Sequence, residues 1–176
     1  GAMAWYGHRV TIERRKCVVM MDLATRYGMF FPALTKPDFQ RLGERLCQRL
    51  PTEMARIHGD AAIAERVRPV VDRIADPIVT IPGRDRSIQS HINDVVYFVR
   101  RWVAVHGGLP RDDDEAFLAA MAPNWMIKMG KAHPEGLRSA PTFSEHWLAL
   151  AGIDPDSVPD PVDPFQSWPA QRRPST

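Results

Sequence analysis

Cysteine and lysine are both scarce in this chain, and long apolar runs are missing altogether. Two cysteines in 176 residues exclude a disulfide scaffold. Cys17, in a strand-like run, and Cys47, on the apolar side of a helical pattern, read as small buried hydrophobes, and no spacing demands a bond between them. No apolar run approaches the roughly 20 residues a membrane-spanning helix needs, and no charged-then-apolar signal segment opens the sequence. The expectation is a cytoplasmic protein of bacterial type with no membrane contact. Also missing is any diagnostic glycine-rich phosphate loop, metal-ligand quartet or catalytic signature, so no catalytic residue, metal or cofactor is assigned.

What is present is ordinary for a globular chain, with 44% apolar and 25% charged residues and a net charge of +2. That charge is too small to imply a polyanionic partner. Nineteen of the 23 basic residues are arginine, and only Lys16, Lys36, Lys128 and Lys131 are lysine. Arginine binds carboxylate and phosphate through a planar fork that lysine lacks; a GC-rich genome yields the same bias.

The first third of the chain is the most legible. From His8 to Glu13 polar and apolar residues alternate, the period of a strand with one wet face. A basic turn, Glu13-Arg14-Arg15-Lys16, leads into Cys17–Met21, apolar on both faces and therefore a central strand. Tyr27–Phe31 resumes a β-prone run that ends at Pro32. The result is an antiparallel three-strand meander over residues 8–31.

The period then changes. Phe39, Leu42, Leu46 and Leu50 recur at helical steps with Arg41, Arg45 and Arg49 on another face, giving an amphipathic helix over 38–50 capped by Thr35 or Asp38. A second helix is expected over 61–75, with Ile63 to Ile74 supplying the inward face and Pro69 kinking or breaking it near Arg68. Pro77–Pro82 reads as a further edge strand. The strongest helix spans 87–105 on the stripe Ile88, Ile92, Val95, Val96, Val99 and Val103, and stops at Gly107-Gly108. An acidic start precedes a helix over 114–122. Thr142-x-x-Glu145 reads as a capping box for a short helix ending at Gly152. Asn124–Met129 fits no element, and Trp102, Trp125 and Trp147 read as packing residues.

The fold class is thus α+β: an N-terminal antiparallel meander packed on three helices (4–109), a small helical C-terminal extension (110–153) and a proline-rich tail (154–176). No helix or central strand suits that tail, yet it carries Phe165 and Trp168, which suggest an anchor for a partner or a second copy.

Three polar groupings invite chemistry. His8, Cys17 and Asp22 have the residue types of a thiol nucleophile but lack any familiar spacing. His91 and Asp94 sit three apart on the strong helix and supply two metal ligands at most, or a hydrogen-bonded pair. Arg86 and Ser87 open that helix, where free amides favour an anion, though Ser87 can equally cap it. Gathered by the fold, Arg14, Arg15, Lys16, Arg86, Ser87, His91 and Asn93 would form a ligand-binding face.

Trp5, Arg14-Arg15-Lys16-Cys17 ahead of a strand, Asp22, Thr25, Lys36-Pro37-Asp38-Phe39 and Arg86-Ser87 followed by Asn93 together resemble an uncharacterised bacterial domain family of unknown function. Its pattern places a Trp and an RRKC turn before a strand and an RS(V/I)xGxxN segment at a helix start. Ser90 stands where that pattern has glycine. The resemblance covers about residues 5–105 and implies no activity. The functional expectation is a non-enzymatic binding or regulatory protein acting through protein–protein contacts or self-association. The alternative is an enzyme or nucleic-acid-binding protein that takes a phosphorylated ligand in a cleft of Arg14, Arg86, His91 and Asn93.

Overall fold

Burial on both faces of a single strand organises this molecule. The computed structural model describes residues 4–74, 86–130 and 133–163, with the side chains of 86, 87 and 133 left aside. Strands β1 (Trp5–Ile12), β2 (Arg15–Asp22) and β3 (Gly28–Phe31) form an antiparallel sheet in the order β1-β2-β3, so β2 is central, as its two-sided apolarity requires. The register runs Trp5↔Asp22 to Ile12↔Arg15 and Val18↔Phe31 to Met21↔Gly28. Val18 and Met20 point into one apolar cluster, and Cys17, Val19 and Met21 into another.

Helices cover both faces. On the first lie α2 (Leu42–His58), α3 (Ala62–Ile74) and α6 (Ser139–Leu150), contributing Leu50, Met54, Ile63, Val67, Phe143 and Trp147. On the second lie α4 (Arg86–His106) and α5 (Asp113–Trp125), contributing Ile88, Ile92, Val95, Val99 and Ala116. Segment 110–153 therefore builds both cores rather than merely extending one. The α+β class and the meander hold, with α4 ending at Gly107, whose φ of 77° suits a residue without Cβ.

Several boundaries differ from the sequence expectation. The helix placed over 38–50 is two: a single turn, α1 (Lys36–Gln40), and then α2, which passes through Pro51 and ends at Gly59 in the left-handed region. Burial of Leu50, Met54 and Ile57 outweighs the lost amide of the proline. Helix α3 likewise runs through Pro69, and Ile74, expected inside, is 41% exposed. Thr142 does not open α6. That helix starts three residues earlier, where Pro141 lies in the first turn and needs no amide donor, and Thr142 Oγ1 donates to the Arg138 carbonyl. The capping contacts occur instead at Thr35, whose amide and hydroxyl both donate to Asp38 Oδ2 at 2.8 and 2.6 Å.

Asn124–Met129 resolves into the end of α5 and a hairpin, β4 (Ile127–Gly130) with β5 (His133–Arg138). The strand expected over 77–82 and the aromatic anchors Phe165 and Trp168 lie outside the described residues. No helix among the described residues is long and apolar enough to cross a membrane.

Candidate functional site: an arginine-lined groove

Helix α2 carries its apolar residues toward the sheet, which leaves Arg45 and Arg56 toward the surface and Arg49 buried against the sheet edge. Arg45, Arg49 and Arg56, with Arg41 just ahead of the helix, line a groove of about 480 Å³ whose floor includes Phe31 and whose rim includes Asp38 and Asp113. Arg41, Arg45 and Arg49 stand four residues or ~6 Å apart and Arg56 seven residues further on, so the row extends for ~22 Å.

Arg49 is the anchor of this groove. Its side chain is 2% exposed, and its guanidinium stands 5.1 Å from the centre of the Phe31 ring. Nη1 donates to the Phe30 carbonyl at 2.5 Å, tying α2 to the edge strand β3, and Nε donates to Glu53 Oε2 at 3.1 Å. Glu53 is wholly buried and also accepts the Tyr27 hydroxyl at 2.9 Å. Burial first, and then the Glu53 charge, push the Tyr27 hydroxyl well above its ordinary pKa, so it remains a donor. Nη2 of Arg49 is buried and, among the described residues, has no hydrogen-bond partner. A buried guanidinium nitrogen in that state costs roughly 1–3 kcal/mol, which a ligand acceptor would relieve.

The other arginines pair at the surface. Arg56 forks onto Asp114 at 2.6 and 2.7 Å and reaches the Thr52 hydroxyl at 3.1 Å. Arg45 pairs with Asp38, and Arg41 with Glu44. Asp113, half exposed, lies 3.6 Å from Arg49 Nη1. Hydrogen bonds from the Thr35 hydroxyl and amide, with help from Arg45, hold the Asp38 carboxyl at about 2, so it is a fixed anion and a poor base. Exposed pairs of this kind contribute little and exchange readily.

The residues singled out from sequence lie elsewhere. Arg14, Arg15 and Lys16 are exposed at the β1–β2 turn, Asn93 is exposed on α4 and accepts from Gln89, and His91 is half-buried. Arg86 opens α4, but its side chain and that of Ser87 lie outside the described side chains. The strand half and the helix half of the pattern meet through packing: Ile12 and Cys17 share one cluster with Ile88 and Ile92. Cys17 and Cys47 are free thiols, both held above their ordinary pKa chiefly by burial. Among the described residues, no group of three or more His, Cys, Asp or Glu side chains is placed to hold a metal ion.

Two further polar constellations are structural. His58 and Ser144, both buried, form a base–hydroxyl pair at 2.6 Å, but the other ring nitrogen is 2.5 Å from the Pro159 carbonyl. With the Val162 amide on the Ile57 carbonyl, this pair fastens residues 159–162 across the end of α2. Lys128 Nζ donates to the Arg26 carbonyl at 2.7 Å, and burial lowers its pKa to about 7.

The groove escaped sequence reading because the expected helix stopped at Leu50, whereas α2 continues to His58. That boundary cut Glu53 and Arg56 from the row. The regular Arg41–Arg45–Arg49 spacing was visible; the buried partner that makes Arg49 different from its neighbours was not.

One family model, described as a domain of unknown function, DUF6933, matches residues 2–133, a span that contains every residue of the resemblance noted above. No curated protein and no solved structure matches the chain.

Proposed function

We propose that this chain, which belongs to the DUF6933 family, is a non-enzymatic binding protein that takes an anionic group of its ligand in the α2 groove. The observation carrying this reading is Arg49: a buried guanidinium with an unused donor, lining a groove with three more arginines against two aspartates. Binding rather than catalysis is favoured by the lining. It includes neither a histidine nor a thiol nor an amine, and its Asp38 carboxyl, at about 2, cannot serve as a base near neutrality. The reading places the protein in the cytoplasm, where Cys17 and Cys47 remain reduced.

The test follows arginine Nε–Hε resonances while the full chain is titrated with inorganic phosphate and, separately, with polyglutamate. Arg45 and Arg49 should shift, and the shifts should weaken with added salt. Shifts confined to Arg14 and Arg15 would move the site to the β1–β2 turn and overturn the groove. No shift with either anion would overturn anion binding itself.

A further inference from the structure

We infer that the ligand of this groove is an extended acidic peptide segment of a partner protein, with carboxylates at alternate positions. The inference rests on the anion-binding reading above and names its ligand class. Arg41, Arg45 and Arg49 recur every four residues, ~6 Å apart, and Arg56 follows seven residues later. An extended peptide sends alternate side chains to one side every ~6.6 Å. The two spacings match over the ~12 Å from Arg41 to Arg49, which three alternate side chains of an extended segment of about five residues cover.

The polar lining favours a peptide over a nucleic acid. Asp38 and Asp113 stand among the arginines, where they would repel a continuous polyphosphate but accept peptide amides, and Gln48 and Thr52 can pair with a peptide backbone. The groove's aromatic residue, Phe31, is 1% exposed and lies beside Arg49, so it offers no face for a base.

The row already accepts carboxylates from another element of the chain. The acidic start of α5 docks at one end of the row, Asp114 on Arg56 and Asp113 toward Arg49. These are consecutive carboxylates on a separate element that approach the same helix. A partner peptide reaches Arg45 and Arg41 beyond them, its carboxylates spaced by its own extended backbone. At the centre, it displaces the half-exposed Asp113 carboxylate and gives Arg49 Nη2 an acceptor.

The experiment measures fluorescence anisotropy of the full chain with three labelled probes: an eight-residue peptide alternating glutamate and serine, its block isomer with all glutamates at one end, and single-stranded DNA of equal charge. The alternating peptide should bind about fivefold or more tighter than the block isomer. Arg45→Gln should weaken it by about five- to tenfold, whereas Arg100→Gln, exposed on α4, should leave it unchanged. Equal affinity for the two peptides, tighter binding of DNA, or indifference to Arg45→Gln would overturn the peptide. If phosphate still shifts Arg49 in that event, the anion-binding groove stands and only the ligand class falls. If no anion shifts Arg49, both fall.

Discussion

Arg49 and Glu53 lie one turn apart on α2, both buried, joined at 3.1 Å. Glu53 also receives the Tyr27 hydroxyl, and Arg49 also caps a carbonyl of β3, so this pair connects helix, sheet edge and groove. Glu53→Gln keeps the shape but removes the buried counter-ion of Arg49 and leaves only the half-exposed Asp113 at 3.6 Å. The expected loss is about 3–5 kcal/mol. Tyr27→Phe removes one donor to the carboxylate and should cost less, about 1.5–3 kcal/mol. Urea unfolding of both variants checks the order; a Glu53→Gln loss below that of Tyr27→Phe contradicts it.

Asp113 competes with any ligand for Arg49. It is half exposed and 3.6 Å from Nη1, so its own contribution to stability is small. Asp113→Asn removes the competing charge and should tighten binding of polyglutamate several-fold, with thermal stability nearly unchanged. Calorimetric titration of both proteins gives the comparison, and weaker binding by the variant would mean that Asp113 supports the ligand instead of opposing it.

The sheet was readable because its physics is local. Cys17–Met21 is apolar at every position, which only a strand covered on both faces needs, and His8–Glu13 alternates because one face is wet. The site was not readable for the opposite reason. Nothing local distinguishes Arg49 from Arg45; the difference comes from Tyr27, Phe30 and Phe31, which the chain brings to α2 from some twenty residues earlier. The hairpin β4–β5 failed likewise, since Ile127 and Met129 are 59% and 63% exposed and so break the usual inward alternation.

Lys128 makes stability depend on pH. Burial lowers its folded pKa to about 7 from 10.5. Between those values the unfolded chain binds a proton that the folded chain has released, so stability rises with pH and is lost on acidification through 7. Lys128→Met should abolish that rise. The window from pH 7 to about 8.5 isolates the effect, because it lies below the titration of the two thiols, whose raised values act in the opposite direction. Chemical unfolding at the two ends of the window should give a gain for the natural chain and none for the variant. Equal gains would assign the dependence to other groups.

The turn that joins β1 to β2 stores strain of a recognisable kind. Ile12 pairs with Arg15, leaving Glu13 and Arg14 as a two-residue loop with φ of 48° and 59°. Two left-handed residues in a two-residue hairpin define a type I′ turn, for which asparagine followed by glycine is the favoured pair. Replacing Glu13-Arg14 by that pair should raise stability by about 1 kcal/mol, since each change removes a steric penalty without touching the core. For a domain of this size, that corresponds to a rise of about 2–4 °C in Tm. The same double variant separates two roles for Arg14. If the residue serves only the turn, the stabilised protein should bind polyglutamate as the natural chain does, because the groove lies along α2. If affinity for the anion falls while Tm rises, Arg14 carries binding at the expense of stability, and the hairpin end of the sheet, rather than α2, holds the ligand.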